Sequence, residues 1–288
     1  MAVLDHKIDF ALVFTVRNAN CNGDPLDGNR PRTTLDGHGE VSDVCLKRKV
    51  RNRLLDEGTP IFVQSDDRRV DEYRSLKDRA DSCEELKKCM KKKDKEEYAR
   101  IACETWFDVR AFGQVFSFKK GKGEGDSDAV SIGIRGPVTI QPAFSEDVVE
   151  IISTQITKSV NLETGADPNK KGADTMGMKH RVAFGVYKTF GSINVQTAQK
   201  TGFSQEDAEL LKEALRTLFR NDATSARPEG SMEVIKLIWW EHNCASGQYS
   251  SAKVHRSLQV TCQGTDIPEV IVHKEQTPGL EPEVIDGE

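Results

Sequence analysis

The stretch from Ile8 to Arg53 constrains the fold more than any other part of the chain. Ile8, Phe10, Leu12, Phe14 and Val16 alternate with Asp9, Ala11, Val13 and Thr15, which predicts a strand with one clearly apolar face and a second, less sharply defined one. The strand ends in Arg17-Asn18-Ala19-Asn20-Cys21-Asn22-Gly23-Asp24-Pro25. Asn and Asp tolerate unusual backbone angles, Gly permits positive φ and Pro fixes φ, so this run predicts a turn. A polar loop from Leu26 to Glu40 follows, and Ser42 then stands as N-cap of a helix with Asp43 in its first turn. Leu46, Val50 and Leu54 form the inward stripe, leaving Lys47, Arg48, Lys49, Arg51 and Arg53 spread over the remaining surface. A strand end, a polar loop and a basic helix therefore meet. That suits an extended polyanion, and it equally suits an ordinary β-loop-α unit with a solvated helix face.

Length and charge bound the alternatives. A chain of 288 residues can bury a substantial core without staples. Its seven cysteines include no CxxC pair, and Cys83, Cys89 and Cys103 lack histidines at zinc-site spacing, so free thiols in a reducing, cytoplasmic compartment are expected. There is no signal peptide and no apolar run long enough to span a bilayer, which predicts no membrane partner. The net charge of −5 is unevenly placed: from Gly264 onward one lysine faces seven carboxylates, whereas Lys158 to Lys200 holds seven basic and three acidic residues. Local patches decide phosphate contact, so the global sign does not exclude a nucleic-acid ligand.

Further along, Pro60-Ile61-Phe62-Val63-Gln64 predicts a short second strand. Asp66 to Arg100 is dense in mixed charge with sparse apolar residues, which predicts a solvent-rich helical insertion unable to form its own core. Its cluster Lys91 to Lys95 is read as a solvated helix face, with nucleic-acid contact the alternative. Gln114–Phe118 and Val130–Ile134 predict a hairpin around a Gly-rich tip from Lys119 to Asp126, which lacks the GK[ST] ending of a phosphate-binding loop. Alternation resumes from Val148 to Lys158, a polar excursion runs from Ser159 to Lys179, and strand-like runs follow at Val182–Tyr187 and Ser192–Val195. Ser204 and Asp207 make a capping box before the stripe Leu211, Ala214, Leu215 and Leu218, and Met232–Trp240 predicts a buried strand. With the insertions removed, the order approaches β-α-β-β-α-β.

Asn20-Cys21-Asn22-Gly23-Asp24-Pro25, Val44-Cys45-Leu46-Lys47-Arg48-Lys49-Val50-Arg51-Asn52, Thr175-Met176-Gly177-Met178-Lys179-His180-Arg181, Gly185-Val186-Tyr187 and Thr201-Gly202-Phe203-Ser204 occur in order from about Ile8 to Trp240. In these motifs the chain resembles the multi-copy backbone subunit of type I CRISPR surveillance complexes (Cascade), subtype I-C, of the RAMP superfamily. The resemblance implies an α+β fold: a modified RRM-like, ferredoxin-like palm over residues 1–65 and 106–263, a helical insertion over 66–105, a thumb-like loop over 159–179, and an acidic tail over 264–288. It implies a non-catalytic subunit in antiviral defence, with no cofactor and no metal. Copies would line up along CRISPR RNA with other subunits of the effector complex and present the guide for pairing with target DNA.

Guide-holding calls for sequence-independent contacts to phosphate and sugar. The residues offering them are Arg17, Asn18, Asn20 and Asn22 after the first strand, Lys47, Arg48 and Arg51 on the helix, Gln155 and Lys158 with Thr157 on the later strand, and Met176, Lys179, His180 and Arg181. Met176 and Met178 either wedge against bases or anchor the loop. The aromatic stacking pair of ordinary RRM proteins is not found, which favours backbone holding over base readout. The alternative within the superfamily is a metal-dependent RNA endonuclease using Asp24. Asp24-Pro25 makes good sense as a turn that closes the loop, and no second carboxylate is evidently paired with it, so the turn is the favoured reading. His180, as a general acid-base, would need a partner that the sequence does not supply.

Overall fold

The computed structural model describes residues 2–118, 130–157, 176–262 and 267–288. β1 (Ile8–Ala19) lies inside the main sheet and is buried continuously as far as Val16. Phe10, Leu12, Phe14 and Val16 enter the largest core, while Ala11 and Val13 enter another on the opposite face. The face that alternation leaves poorly defined is therefore also covered, so this strand is apolar nearly throughout.

A small hairpin of β2 (Gly23–Asp24) and β3 (Arg30–Pro31) leads through β4 (His38–Val41) into α1 (Asp43–Asp56). The Ser42 side chain accepts a hydrogen bond from the Cys45 N–H, and Leu46, Val50 and Leu54 are fully buried, as the spacing predicts. Residues 60–64 depart from expectation. They form no strand, because the Phe62 and Val63 N–H groups donate to the Asp108 carboxylate at 2.7 and 3.0 Å, and a side chain takes the place of a partner strand.

The charged segment folds as α2 (Leu76–Ser82), α3 (Glu84–Lys92) and α4 (Lys95–Thr105), followed by α5 (Phe107–Phe112) and the hairpin β5 (Gly113–Phe118) and β6 (Val130–Arg135). Ala80, Leu86, Cys89, Tyr98, Ile101 and Ala102 make a second core with Phe62, Trp106, Phe116 and Ile132. The insertion is poor in apolar residues on its own, and the hairpin and the 60–64 segment complete its interior. The Gly-rich tip from Lys119 to Asp126 lies outside the described residues.

β7 (Val138–Ile140), β8 (Ala143–Val148) and β9 (Ile151–Thr157) all pair with β10 (Met176–Ile193), a single strand of 18 residues where two separate runs are expected. Gly191 does not break it. A Cβ there would lie 2.1 Å from the Phe10 ring, so glycine is what lets the aromatic cross the strand. Val195, expected to end a strand, instead opens α6 (Val195–Thr201), and α7 (Gln205–Arg216) follows behind the Ser204–Asp207 capping box.

β11 (Met232–Glu241), α8 (Ser251–Arg256), β12 (Leu258–Thr261), β13 (Glu269–Val272) and β14 (Pro282–Asp286) complete the chain. The main sheet is antiparallel with the order β14-β11-β1-β10-β8-β4, and β7 and β9 also lie along β10. α1, α6 and α7 contribute to the core on one face, and α8 with β12 and β13 covers the other. The described part of the acidic C-terminal segment, residues 267–288, is folded against the rest of the chain. It adds β14 to β11 of its own sheet, where Glu283 pairs with Lys212 at 3.1 Å, Asp286 with Lys236, and Glu288 with Arg216 at 3.0 Å.

Candidate nucleic-acid interface

The regular alternation of β1 breaks near its end. Val16 and Ala19 join the same core although three positions apart, because Asn18 takes a left-handed φ of 51°. Arg17 and Asn18 are exposed there; the Arg17 N–H donates to the Ser231 carbonyl at 2.8 Å and its guanidinium lies 4.6 Å from the Phe184 ring centre. Asn20 is buried, its N–H donating to Ala226 O at 2.9 Å and its Nδ2 to Asn29 O at 2.7 Å. Asn22 serves α1: its Oδ1 accepts from the Ser42 N–H at 2.9 Å and hydroxyl at 2.8 Å, holding the cap in place. Between them, Cys21 packs against Tyr187, and burial pushes its thiol up to about 11 and the Tyr187 hydroxyl upward as well. Of the Asn-Cys-Asn motif, then, these three side chains shape the loop, while Arg17 and Asn18 face outward.

β9 and β10 continue as a two-stranded ribbon beyond the end of β1: Val182 still faces Ala19, whereas Met176 to Arg181 pair only with β9. Lys179 stands opposite Thr154, His180 opposite Ser153 and Arg181 opposite Ile152. Lys179 Nζ donates to Ser225 O at 2.9 Å, and His180 Nδ1 lies 2.8 Å from Ser153 Oγ. Met176 and Met178 are 68% and 54% exposed, with Gln155 beside Met176. Lys158 and most of the polar excursion, Ser159 to Thr175, lie outside the described residues.

Ser225 and Ala226 belong to the loop between α7 and β11, which ties the end of β1 to the ribbon. Sequence pattern alone does not single out this loop. Asn221 at φ 58° and Pro228-Glu229-Gly230 mark it as a turn, but nothing local shows where it docks. Its Arg227 pairs with Asp222 at 3.0 Å, and Asp222 also receives Lys49.

The α1 cations are not the free basic surface that helical spacing predicts. Lys47 pairs with Asp43 at 3.0 Å, Arg48 donates to Val63 O at 2.7 Å, and Arg51 pairs with Asp108 at 2.8 Å. Lys49 and Arg53 are buried, Arg53 donating to Thr217 at 2.8 Å and pairing with Glu57 at 2.6 Å. Arg48, Lys49, Arg51 and Arg53 reach along their apolar stems to acceptors on neighbouring segments, whereas Lys47 pairs with the partly exposed Asp43 of its own helix. Asp24 sits in its turn, Oδ1 accepting from the Leu26 N–H at 3.1 Å and from Arg32 at 3.3 Å. Among the described residues no three His, Cys, Asp or Glu side chains are grouped as metal ligands.

The arrangement brings together Arg17, Asn18, Lys179, His180 and Arg181 with the 221–231 loop, while Lys47, Arg48 and Arg51 lie on α1 with partners of their own. The family model for CRISPR-associated protein Cas7 matches residues 6–276. A curated relative from Haloferax volcanii, described as CRISPR-associated protein Cas7, is 28% identical over an alignment of 235 positions that covers 76% of this chain and 66% of that protein's length, just under two thirds of it. A chain from a solved CRISPR RNA-guided surveillance complex, pre-nicking, is 14% identical with a TM-score of 0.44, covering 81% of this chain and 78% of its own. One from another CRISPR RNA-guided surveillance complex is 16% identical with a TM-score of 0.41, covering 81% and 68%. With the family model spanning nearly its whole length, the chain belongs to the Cas7 family of CRISPR-associated proteins.

Proposed function

We propose that this chain is a non-catalytic backbone subunit of a cytoplasmic CRISPR RNA-guided surveillance complex of the type I-C kind. Several copies line up along CRISPR RNA, beside other subunits, and present the guide for pairing with target DNA. The observation that carries this reading is the convergence of Arg17 and Asn18 with Lys179, His180 and Arg181 at the base of a ribbon that runs past the sheet. These are cations and small polar groups, which fits contact to phosphate and sugar. Gln155 and Met176 extend the same surface, and the exposed Met176 and Met178 would wedge against bases. Lys47, Arg48 and Arg51 take a secondary part, since Arg48 and Arg51 first serve interior acceptors and Lys47 pairs with Asp43 along the helix.

The sheet order β11-β1-β10-β8, with α1 after β1 and α7 after β10 against one core, supports an RRM-like, ferredoxin-like palm. In this reading residues 66–105 are its helical insertion and 159–179 its thumb. Val254, Leu258 and Val260 cover the second sheet face, so RNA contacts move from the sheet surface to its end and to the ribbon. Among the described residues no helix is long and apolar enough to cross a membrane.

Fluorescence anisotropy over a salt series tests the reading. Each phosphate contact contributes about 0.7 to the slope for a single strand, so Arg17→Ala with Lys179→Ala should shallow it by roughly 1.4. The loss should be equal for uridine-only and mixed-sequence RNA. An unchanged slope would move the interface elsewhere, and regularly spaced, magnesium-dependent cuts in the bound RNA would replace this reading with the Asp24 nuclease.

A further inference from the structure

The excursion between β1 and α1 carries a leucine on each of two hydrogen-bonded turns. Leu26 is 98% exposed and Leu35 110%. The first turn is closed by the Asp27 and Asn29 N–H groups donating to Asp24 O at 3.1 and 2.8 Å. The second is closed by Thr34 N–H to His38 O at 2.8 Å and Gly37 N–H to Thr34 O at 3.1 Å. Leucines held out on rigid turns lose little backbone freedom when they become buried. Each has an acid next to it, Asp27 and Asp36, whose side chains are 73% and 75% exposed.

The insertion offers the complement. A pocket of about 260 Å³ has Ala80, Leu86, Met90 and Tyr98 as apolar lining and Lys77, Lys87 and Lys91 at its rim, with Asp81. The apolar lining suits an aliphatic side chain, and the volume has room for one. Lys87 pairs with Glu84 at 3.0 Å, whereas Lys77 and Lys91 pair with no carboxylate among the described residues. α1 links the two surfaces along the chain. The excursion meets its N-terminus through Asn22 and Ser42, and the insertion follows its C-terminus.

We propose that the turn leucines of one copy seat in the α2–α4 pocket of the next, with Asp27 and Asp36 meeting Lys77 and Lys91. The choice of a second copy as occupant rests on the polymerising reading above. Two different patches meet in this contact, so it is head-to-tail and propagates as an open array, not as a closed twofold dimer.

Sedimentation velocity of the full chain, without RNA and on a guide-length RNA, tests the junction, alongside affinity for an RNA long enough for one copy. The tip variant Leu26→Ser/Leu35→Ser and the pocket variant Lys77→Glu/Lys91→Glu change only surface residues. Each should bind the short RNA as the parent does, yet need about tenfold more protein to assemble on the long one, a loss of ~1.4 kcal/mol per junction. At concentrations where the parent forms a ladder without RNA, each variant alone should be monomeric, and their equimolar mixture should stop at a dimer, because only one junction remains intact. Adding Asp27→Lys/Asp36→Lys to the pocket variant should restore assembly. A tip variant assembling at the parent's midpoint overturns the proposal, as does a pocket variant that loses short-RNA affinity, which would assign these lysines to nucleic acid. A parent that binds no RNA but forms the tip-dependent ladder sinks the guide-holding reading and keeps the junction; a parent monomeric throughout sinks the junction.

Discussion

His255 shows how far one side chain's chemistry depends on its surroundings. Its ring stacks on Phe190 with centroids 4.6 Å apart, Nε2 lies 3.3 Å from Gly191 O and 3.7 Å from Asp9 Oδ1, and Lys7 and His242 reach the same carboxylate. Burial holds its proton affinity below the ordinary value, and the nearby Asp9 and Gly191 oxygens only partly offset this. The unfolded imidazole takes up a proton near pH ~6.5, the folded one only at lower pH, so in between the unfolded state binds more protons. Stability from this group is therefore present above that pH and lost as pH falls through it. Asp9 is different: burial would raise it, yet hydrogen bonds from His242, Ser251 and Lys7 hold it below the usual carboxylate range, so it titrates only in stronger acid. Urea unfolding of the parent should show a falling midpoint between pH 7 and pH 5.5, and His255→Gln should flatten that fall. An equally steep fall in the variant would place the titration elsewhere.

At the level of elements, Asp108 joins α1, the 60–64 segment and α5. Its carboxylate is 1% exposed and accepts from Arg51 Nε and from two backbone N–H groups. Asp108→Ala leaves these donors without an acceptor, and breaking a buried pair in this way costs ~3–5 kcal/mol. Chemical denaturation reads that loss directly, and a change below ~1 kcal/mol would mean that water replaces the carboxylate. This contact also marks where sequence reading stops. β1, α1 and α7 are legible because alternation, Leu46-Val50-Leu54 and the Ser204–Asp207 box are short-range signals. Asp108 lies 45 to 57 positions from its partners, and a side chain that replaces a partner strand leaves no local pattern. The same limit hides Lys49 and Arg53, because spacing shows where a helix turns its charge but not that α7 waits there. It also hides the 221–231 loop, which reads as a turn and only in three dimensions binds β1 to the ribbon.

For the whole molecule, the main sheet and the ribbon divide the work. Deleting Leu162 to Thr175 should keep the melting temperature within about 3 °C, since ~1 kcal/mol corresponds to a few degrees in a chain of this size. Light scattering with a guide-length RNA should then show the ordered particles lost; particles of unchanged size would remove this segment from the proposed thumb. The position of β1 has a further consequence, for biosynthesis. Ala19 pairs with Val182 and Ile8 with Ile193 on one side, while Val16 pairs with Met232 on the other. At ~5–20 residues per second, the most apolar strand leaves the ribosome and waits on the order of 10 s or more before its first neighbour exists. During that time its two hydrogen-bonding edges stay open, which is the condition that favours misassociation. The fold therefore places its greatest demand for chaperone shielding on the nascent chain, and yields in expression should respond more to translation speed and holdase supply than to changes on the finished surface.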